Sequence, residues 1–252
     1  TRCRAACVSC GLLEDPFVEP FSSNDNSMRP EPLIMRGTVI RTVTIDHFLR
    51  SLLSPDTQVV NLGCGFDTRS AKHPNHVFYE VDLIEVLSRK QKVLNSNTTR
   101  YIDCDLDDAD LLFEKLINAG LSFDEPIIIL AECCLMYLQR DSVVKFFTKM
   151  RQHCHAKLDV ITFDAIQLTD QFGKRMSMNL PVSMPLFESC RGISDYLNIF
   201  TSLNCVDQFD MRHAESILDD ELKGRLNEKC RLDEYEEWHL ICMHYIFCRF
   251  TN

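Results

Sequence analysis

The sequence lacks any apolar run long enough to cross a bilayer. Its longest, Ile127 to Leu138, is interrupted by Glu132 and falls short of the ~20 residues a spanning helix needs, so no membrane partner is expected. No charged-then-apolar leader opens the chain, and its first residue is Thr1, not Met. Positive charge is not in excess. The 27 Lys and Arg stand against 37 Asp and Glu, a formal net charge of −10, and the basic residues are scattered. That balance repels phosphate backbones and argues against a nucleic-acid partner. Internal repeats and low-complexity tracts are also missing. The loosest stretch, Pro16 to Pro32, has four prolines and several Ser and Asn, and it suggests a surface loop or lid.

What is present describes a folded protein. Hydrophobic residues make up 45% of the 252 and charged residues 25%, ordinary globular values that exclude general disorder. The length suits one large domain or two small ones. Thirteen cysteines, an odd number, lie in apolar segments such as Ala131-Glu132-Cys133-Cys134-Leu135. They suggest reduced, mostly buried thiols of a cytoplasmic protein, not a disulfide framework.

Periodicity predicts a helix from about Thr38 to Pro55, with Val39, Val43, Phe48, Leu49, Leu52 and Leu53 on its apolar side. Short strands are expected at 58–62, 76–81, 100–103, 126–131 and 158–163, with helices at 83–94, 108–119 and 141–154 between them. Such alternation implies right-handed crossovers and a doubly wound, mostly parallel α/β sheet. Further on, 170–179 and 188–203 look helical, and most of 238–250 is expected to be an edge or penultimate strand. The expected organisation is a single domain: an N-terminal cap and helix (1–55), a cofactor-binding core (56–164), a helical substrate cap (165–230) and a C-terminal strand region (231–252).

Open parallel sheets bind ligands at the carboxyl ends of their strands, where the strand order reverses. Three consecutive strands here end in usable groups. The first runs into Gly63-Cys64-Gly65, which permits a tight turn and a close approach of ligand to backbone. The second ends in Asp82, whose ionised carboxylate can accept from both ribose hydroxyls. The third leads into Asp103-Cys104-Asp105-Leu106, suited to an adenine edge. Position 68 is Thr, so the third glycine of a dinucleotide fingerprint is absent. A ligand with adenosine but no phosphate fits better, and S-adenosylmethionine is the obvious one.

The residues then show a likeness. Asn61-Leu62-Gly63-Cys64-Gly65-Phe66-Asp67-Thr68, Tyr79-Glu80-Val81-Asp82 and Leu130-Ala131-Glu132-Cys133-Cys134-Leu135-Met136-Tyr137 resemble the leucine carboxyl methyltransferases. So do Met35-Arg36-Gly37-Thr38, Arg41-Thr42, Asp170-Gln171-Phe172-Gly173, Leu232-Asp233-Glu234-Tyr235 and His244-Tyr245, collinear from about Cys3 to Phe250. The resemblance implies a class I, Rossmann-like enzyme dependent on S-adenosylmethionine. Its substrate would be the C-terminal leucine of the type 2A protein phosphatase catalytic subunit, methylated on its α-carboxylate. By position, the cofactor contacts would be Arg4, Arg41, Gly63, Gly65, Asp82, Asp105, Leu106 and Glu132. The chain departs from the family pattern at Asp107, where relatives often have Arg, at Phe163-Asp164 in place of Tyr-Glu, and in a shortened loop after Asp82.

A terminal carboxylate has a reference pKa near ~3.5, so it is already an anion and needs no general base. A sulfonium methyl group is already activated, so no metal is expected. Arg41 can hold a carboxylate bidentately, either the substrate's or the cofactor's own. Tyr137, five residues past Glu132, is the candidate donor to the substrate carboxylate, and it joins Arg41 as a catalytic candidate. Phe17, Phe21 and the 176–184 region are candidates for a leucine slot. Three rival motifs are weaker. Cys3, Cys7 and Cys10 have the spacing of an iron–sulfur site, but Ser9 replaces the usual aromatic. Asp103 to Glu114 imitates a calcium loop, but Asp108 stands where glycine is required. The His and Cys of 153–155 and 239–244 match no paired zinc spacing. A monomer is expected. A small-molecule O-methyltransferase and a non-catalytic cofactor- or phosphatase-binding homologue remain as alternatives.

Overall fold

A computed structural model of the chain describes residues 2–22, 30–94, 96–166, 169–179 and 182–252. Five strands form the parallel part of one sheet: β1 (Gln58–Leu62), β2 (Val77–Asp82), β3 (Thr99–Asp103), β4 (Ile127–Glu132) and β5 (Leu158–Ala165). Two more, β6 (Asn204–Asp210) and β7 (Tyr245–Thr251), complete the order β3-β2-β1-β4-β5-β7-β6. β7 runs antiparallel to both β5 and β6. The expected doubly wound, mostly parallel sheet is therefore what forms.

α1 (Arg2–Ser9) and α2 (Pro32–Leu52) precede the sheet. α3 (Arg69–Lys72), α4 (Ile84–Gln91), α5 (Ala109–Asn118) and α6 (Arg140–His153) connect the parallel strands. α7 (Gln171–Asn179), α8 (Pro185–Ser189) and α9 (Ile193–Leu197) follow β5. α10 (Met211–Ser216), α11 (Asp220–Lys229) and α12 (Tyr235–Met243) separate β6 from β7. Among the described residues, no helix is long and apolar enough to cross a membrane.

Alternation within the strands explains why their sequences are apolar almost throughout. Val60, Leu62, Ile127, Ile129 and Ala131 face a core completed by α5, α6 and α9. Val59, Ile128 and Leu130 face the opposite core, completed by α1, α2 and α10 to α12. A sheet covered on both faces has no polar side, so a period of two is invisible in its central strands. α2 starts with Pro32 in its first turn, where a missing N–H costs nothing, and ends just before Pro55. Arg41, near the middle of its 21 residues, lines a cavity at the strand ends.

Three expectations fail. The stretch 188–203 is not one helix: Cys190 and Gly192 are both extended, and they separate α8 from α9. The stretch 238–250 is not mostly strand. α12 continues to Met243, with Trp238 and Cys242 buried one turn apart and Glu236 and Glu237 in the first turn, where the helix dipole favours acids. Only the later part pairs as β7, and it is penultimate in the sheet. Strand β6 lies within 165–230, so that region is not wholly helical. Its Asp207 and Asp210 mask it, and a bulge between Cys205 and Asp207 interrupts its pairing, as on many edge strands.

Candidate active site

The chain steps outward from β1 to β2 and β3, then crosses back to β4, so the order reverses beside β1. In register, Leu62 stands beside Val81 and Ala131, and Asp82 beside Asp103. The functional candidates thus emerge side by side at one edge of the sheet.

The turn after β1 needs its glycines. Gly63 has φ +58°, and a Cβ there would come within 2.5 Å of Cys134 Sγ. Gly65 has φ +46° and open space around the position of a Cβ. Gly65 N–H donates to Asp82 Oδ2 at 2.7 Å, and Leu83 N–H donates to Asp82 Oδ1 at 2.8 Å. The carboxylate is thereby aimed, with an acceptor site left on each oxygen. Leu83 and Ile84, about half exposed, place apolar surface next to it. Leu106 Cδ1 lies 3.8 Å from where a Gly63 Cβ would be, so the ends of β1 and β3 border the same hollow. Asp105 is exposed and accepts from Asp107 N–H at 3.0 Å.

Arg4, Arg41, Gly63, Gly65, Asp67 and Glu132 line a cavity of about 180 Å³ at this edge. Of the eight positions expected to hold a cofactor, five lie in its wall. Asp82 and Leu106 meet its glycine turn from the neighbouring strand ends, and Asp105 precedes Leu106 in the chain with its side chain turned to Asp107 N–H. Tyr137 lines neither this cavity nor the apolar one described below. It is 43% exposed on a single 3-10 turn, Leu135–Tyr137, with its phenol pushed up by partial burial and by Cys133.

An ion network behind the cavity was not foreseen. Its centre is Arg69, fully buried on α3. Arg69 Nε donates to Asp46 Oδ1 at 2.5 Å, and Nη1 donates to Asp67 Oδ2 at 2.6 Å and to Glu132 Oε2 at 2.7 Å. Among the described residues, its Nη2 has no partner. Lys72 also holds Asp46, at 2.7 Å. Arg4 reaches Asp67 at 3.2 Å and Glu132 at 3.8 Å. Arg41 Nε lies 2.7 Å from Glu132 Oε1, an ion-pair distance but out of line for a hydrogen bond, and Arg41 Nη1 donates to Cys133 Sγ at 3.4 Å.

Burial opposes the charges of Asp67 and Glu132, but the arginines prevail. Arg69 and Arg4 hold Asp67 well below the usual carboxylate range, and Arg69, Arg41 and Arg4 lower Glu132. The cluster is therefore ionised at neutral pH. Arg4, Arg41, Arg69 and Lys72 are matched by Asp15, Asp46, Asp67 and Glu132. A balanced set of this kind favours a zwitterionic end group, carrying both an ammonium and a carboxylate, over a polyphosphate. The donors present therefore fit the amino-acid end of S-adenosylmethionine, and Asp82 with its apolar neighbours fits the nucleoside end.

A second cavity, of about 360 Å³, opens on the other side of Arg41. Ile34, Phe163, Phe172, Met176 and Ile241 supply its apolar wall. Arg41 is the residue the two cavities share, and its guanidinium carbon lies 5.8 Å from the Phe163 ring centroid. Of the apolar candidates, Met176 is in this wall. Phe21 instead stacks on Phe66 at 5.1 Å, and Phe17 is absent from the wall. Met184 is buried beside Phe187 and Ala165, and positions 180 and 181 fall outside the described residues. Sequence reasoning missed Phe172 as a wall residue, as it missed Asp46, Asp67 and Arg69. The last two had one signal: they directly follow the glycine turn.

Rival motifs find ordinary structural uses. Asp108 Oδ1 accepts from Leu111 N–H at 3.0 Å as the N-cap of α5. Cys3, Cys7 and Cys10 lie at the N-terminal helix, and none of the thirteen cysteines is in a disulfide. Asp107 accepts from Gln139 N–H at 2.8 Å, and its carbonyl accepts from Ser142, tying the start of α6.

Comparison with known proteins agrees with this geometry. A family model described as leucine carboxyl methyltransferase matches residues 3–151. Leucine carboxyl methyltransferase 1 of Schizosaccharomyces pombe is 30% identical, with 97% of this chain and 89% of the relative covered. The protein of that name from Caenorhabditis elegans is 27% identical over 97% of this chain and 86% of its own length. The Arabidopsis thaliana homologue is 27% identical, covering 96% and 83%. Among solved structures, a Thermobifida fusca protein regarded as a methyltransferase superposes with a TM-score of 0.62 at 14% identity, covering 87% and 83%. Geranyl diphosphate methyltransferase in complex with S-adenosylmethionine gives 0.50 at 12% identity, covering 84% and 82%. Sheet order and strand-end crevice together define the class I methyltransferase architecture. Within it, the chain belongs to the leucine carboxyl methyltransferase family.

Proposed function

We propose that the protein methylates the α-carboxylate of a C-terminal leucine, that of the type 2A protein phosphatase catalytic subunit, using S-adenosylmethionine. The observation that carries this reading is Arg41, the shared wall of a balanced ionic cavity and an apolar one. A chain end terminating in leucine has both features a few bonds apart: a carboxylate and a branched apolar side chain. The family relationship and the fold support the same reading.

In this reading Asp82 receives the ribose hydroxyls. Asp105 and Leu106 flank the adenine, and the Gly63-Cys64-Gly65 turn admits the cofactor against the backbone. Arg4, Arg41 and Glu132 bind its amino-acid end. When bound, the cofactor supplies an activated methyl carbon. Because the substrate carboxylate is already an anion and the methyl carbon would leave a neutral thioether behind, this chain's residues would have no proton to remove. The chain's own residues therefore need only position and desolvate, which can contribute ~7–11 kcal/mol to lowering the barrier. Phe163, Phe172 and Met176 hold the leucine side chain and exclude water, and Tyr137 donates to the carboxylate from the rim. Asp107, one departure from the family pattern, has a structural use in tying α6 and does not argue for a non-catalytic homologue.

The test incubates the protein with methyl-labelled cofactor and phosphatase catalytic subunit, either intact or lacking its last leucine. Base-labile label on the intact subunit alone is expected. Label on both would remove the apolar cavity from recognition. Label on neither, with cofactor bound, would overturn the catalytic reading.

A further inference from the structure

β5 ends in a buried acid that the reaction does not use. Asp164 is fully buried. Its Oδ1 accepts from the N–H groups of Cys134, at 3.0 Å, and Met136, at 3.4 Å, and its Oδ2 accepts from the Tyr196 hydroxyl at 2.9 Å. The first two donors belong to the segment that leaves β4 directly after Glu132. Tyr196 belongs to α9, in the expected substrate cap. One side chain therefore joins three parts of the molecule: the end of the central sheet, the segment carrying Tyr137, and the cap.

That segment needs an external constraint. Among the described residues, Cys133 is the non-glycine residue with positive φ, +52°. A β-carbon in the left-handed region costs about 1–2 kcal/mol and persists only where neighbours enforce it. Cys133 N–H donates to Phe163 O at 2.6 Å, and Asp164 supplies the next anchor along the chain. The enforced turn has two consequences at the site. It seats Cys134 against Gly63, so that a side chain at position 63 would clash with it, and it brings Cys133 Sγ to Arg41. The groups facing Asp164 are thiols and phenols: Cys133, Cys134 and Tyr137 from the segment, Cys190 next to α8, Tyr196 from α9, and Tyr245 and Cys248 from β7.

We propose that Asp164 is a positioning residue, a clamp that holds the Cys133–Tyr137 segment against the glycine turn and couples it to α9, so that cap and reacting centre move as one. The clamp rests on the methyl-transfer reading above for its consequence, though not for its geometry. It depends on shape, not charge. An asparagine oxygen can accept from the same two N–H groups, and its amide nitrogen can donate to the Tyr196 oxygen. Alanine can do neither.

The experiment compares the intact protein with Asp164→Asn, Asp164→Ala and Tyr196→Phe, measuring cofactor affinity, methyl transfer, and hydrogen exchange at 133–138. Asp164→Asn is expected to keep exchange protection and kcat within about threefold. Asp164→Ala is expected to lose protection at Cys134 and Met136 and to lower kcat at least tenfold, with cofactor Kd within about threefold. Tyr196→Phe, which removes one of the three bonds, is expected to fall between them and to raise KM for the substrate chain. Asparagine failing as badly as alanine would overturn the clamp. So would undiminished protection and kcat in both Asp164→Ala and Tyr196→Phe. Should the unaltered protein transfer no methyl group, the functional proposal fails. The exchange pattern still decides whether Asp164 holds the segment.

Discussion

The two cavities that meet at Arg41 are held by different forces. The ionic one is built from strand ends, α1 and α2, and is locked by buried charge pairs radiating from Arg69 on α3 behind it. The apolar one is built from α2, α7, α10 and α12 against β5 and β7, and apart from Arg41 its wall is mainly apolar side chains in contact. Its wall includes residues from helices that follow the parallel core in sequence. The difference teaches a division of labour. In the proposed reading, the cofactor would be met by groups fixed at the strand ends, and a substrate chain end by an apolar surface whose shape can vary. The glycine turn and Asp82 belong to the first kind, and Met176 and Phe172 to the second.

Breaking the ionic side should have the largest effect. Arg69→Met leaves Asp46, Asp67 and Glu132 short of their common partner, and uncompensated buried charge typically costs about 3–5 kcal/mol. Thermal unfolding should show that loss, together with loss of cofactor binding. A stable variant that still binds cofactor would show that the network is not what holds this cavity.

Asp164 sharpens the comparison because it is a buried acid with no arginine at its side chain. Burial pushes its carboxyl up to about 7, against the pull of the Tyr196 hydroxyl and the segment's N–H groups. A raised acid pKa means stability that is fully present below the unfolded value and declines as pH rises towards the folded one. The shift from 3.8 to about 7 corresponds to a penalty on the order of 4 kcal/mol above pH 7. Asp164→Asn should therefore gain stability over the unaltered protein as pH is raised from 4 to 8, with the gain levelling off above about 7. Chemical denaturation at several pH values measures it. A pH-independent difference would contradict the assignment. Asp67 and Glu132 behave in the opposite sense. Their depressed pKa values contribute stability at neutral pH that is lost only on acidification below the ordinary carboxylate range.

At the ligand end, Asp82→Ala should weaken cofactor binding about a hundredfold, near 2.7 kcal/mol, with little change in unfolding temperature. Calorimetric titration checks this, and unchanged affinity would remove Asp82 from the ribose role. The smallest effect is expected on the apolar side. Met176→Ala should raise KM for the substrate chain about tenfold, near 1.4 kcal/mol, and leave cofactor Kd unchanged. If cofactor affinity fell as well, the two cavities would not be the independent compartments their walls suggest.

The chain's own letters determined a good deal. Five strands, the helices between them, the Gly63-Cys64-Gly65 turn and the acids at the strand ends were all legible, because local patterns of apolar and turn-forming residues set them. Glu132 stood out as a charge ending the most apolar run. Arg69 did not stand out. Nothing in Arg69-Ser70-Ala71-Lys72 distinguishes a buried cation from an exposed one until Asp46 and Glu132 arrive from two separate segments to join Asp67, two residues away. The same holds for Asp164, whose partners lie about 30 residues away on either side. It holds too for α12, where packing of Trp238 and Cys242 overrode a composition that suggested a strand. Local preference acts over a few residues and is written in order along the chain. Ion pairing, desolvation and the meeting of two cavities at one arginine depend on distances that only the closed fold creates.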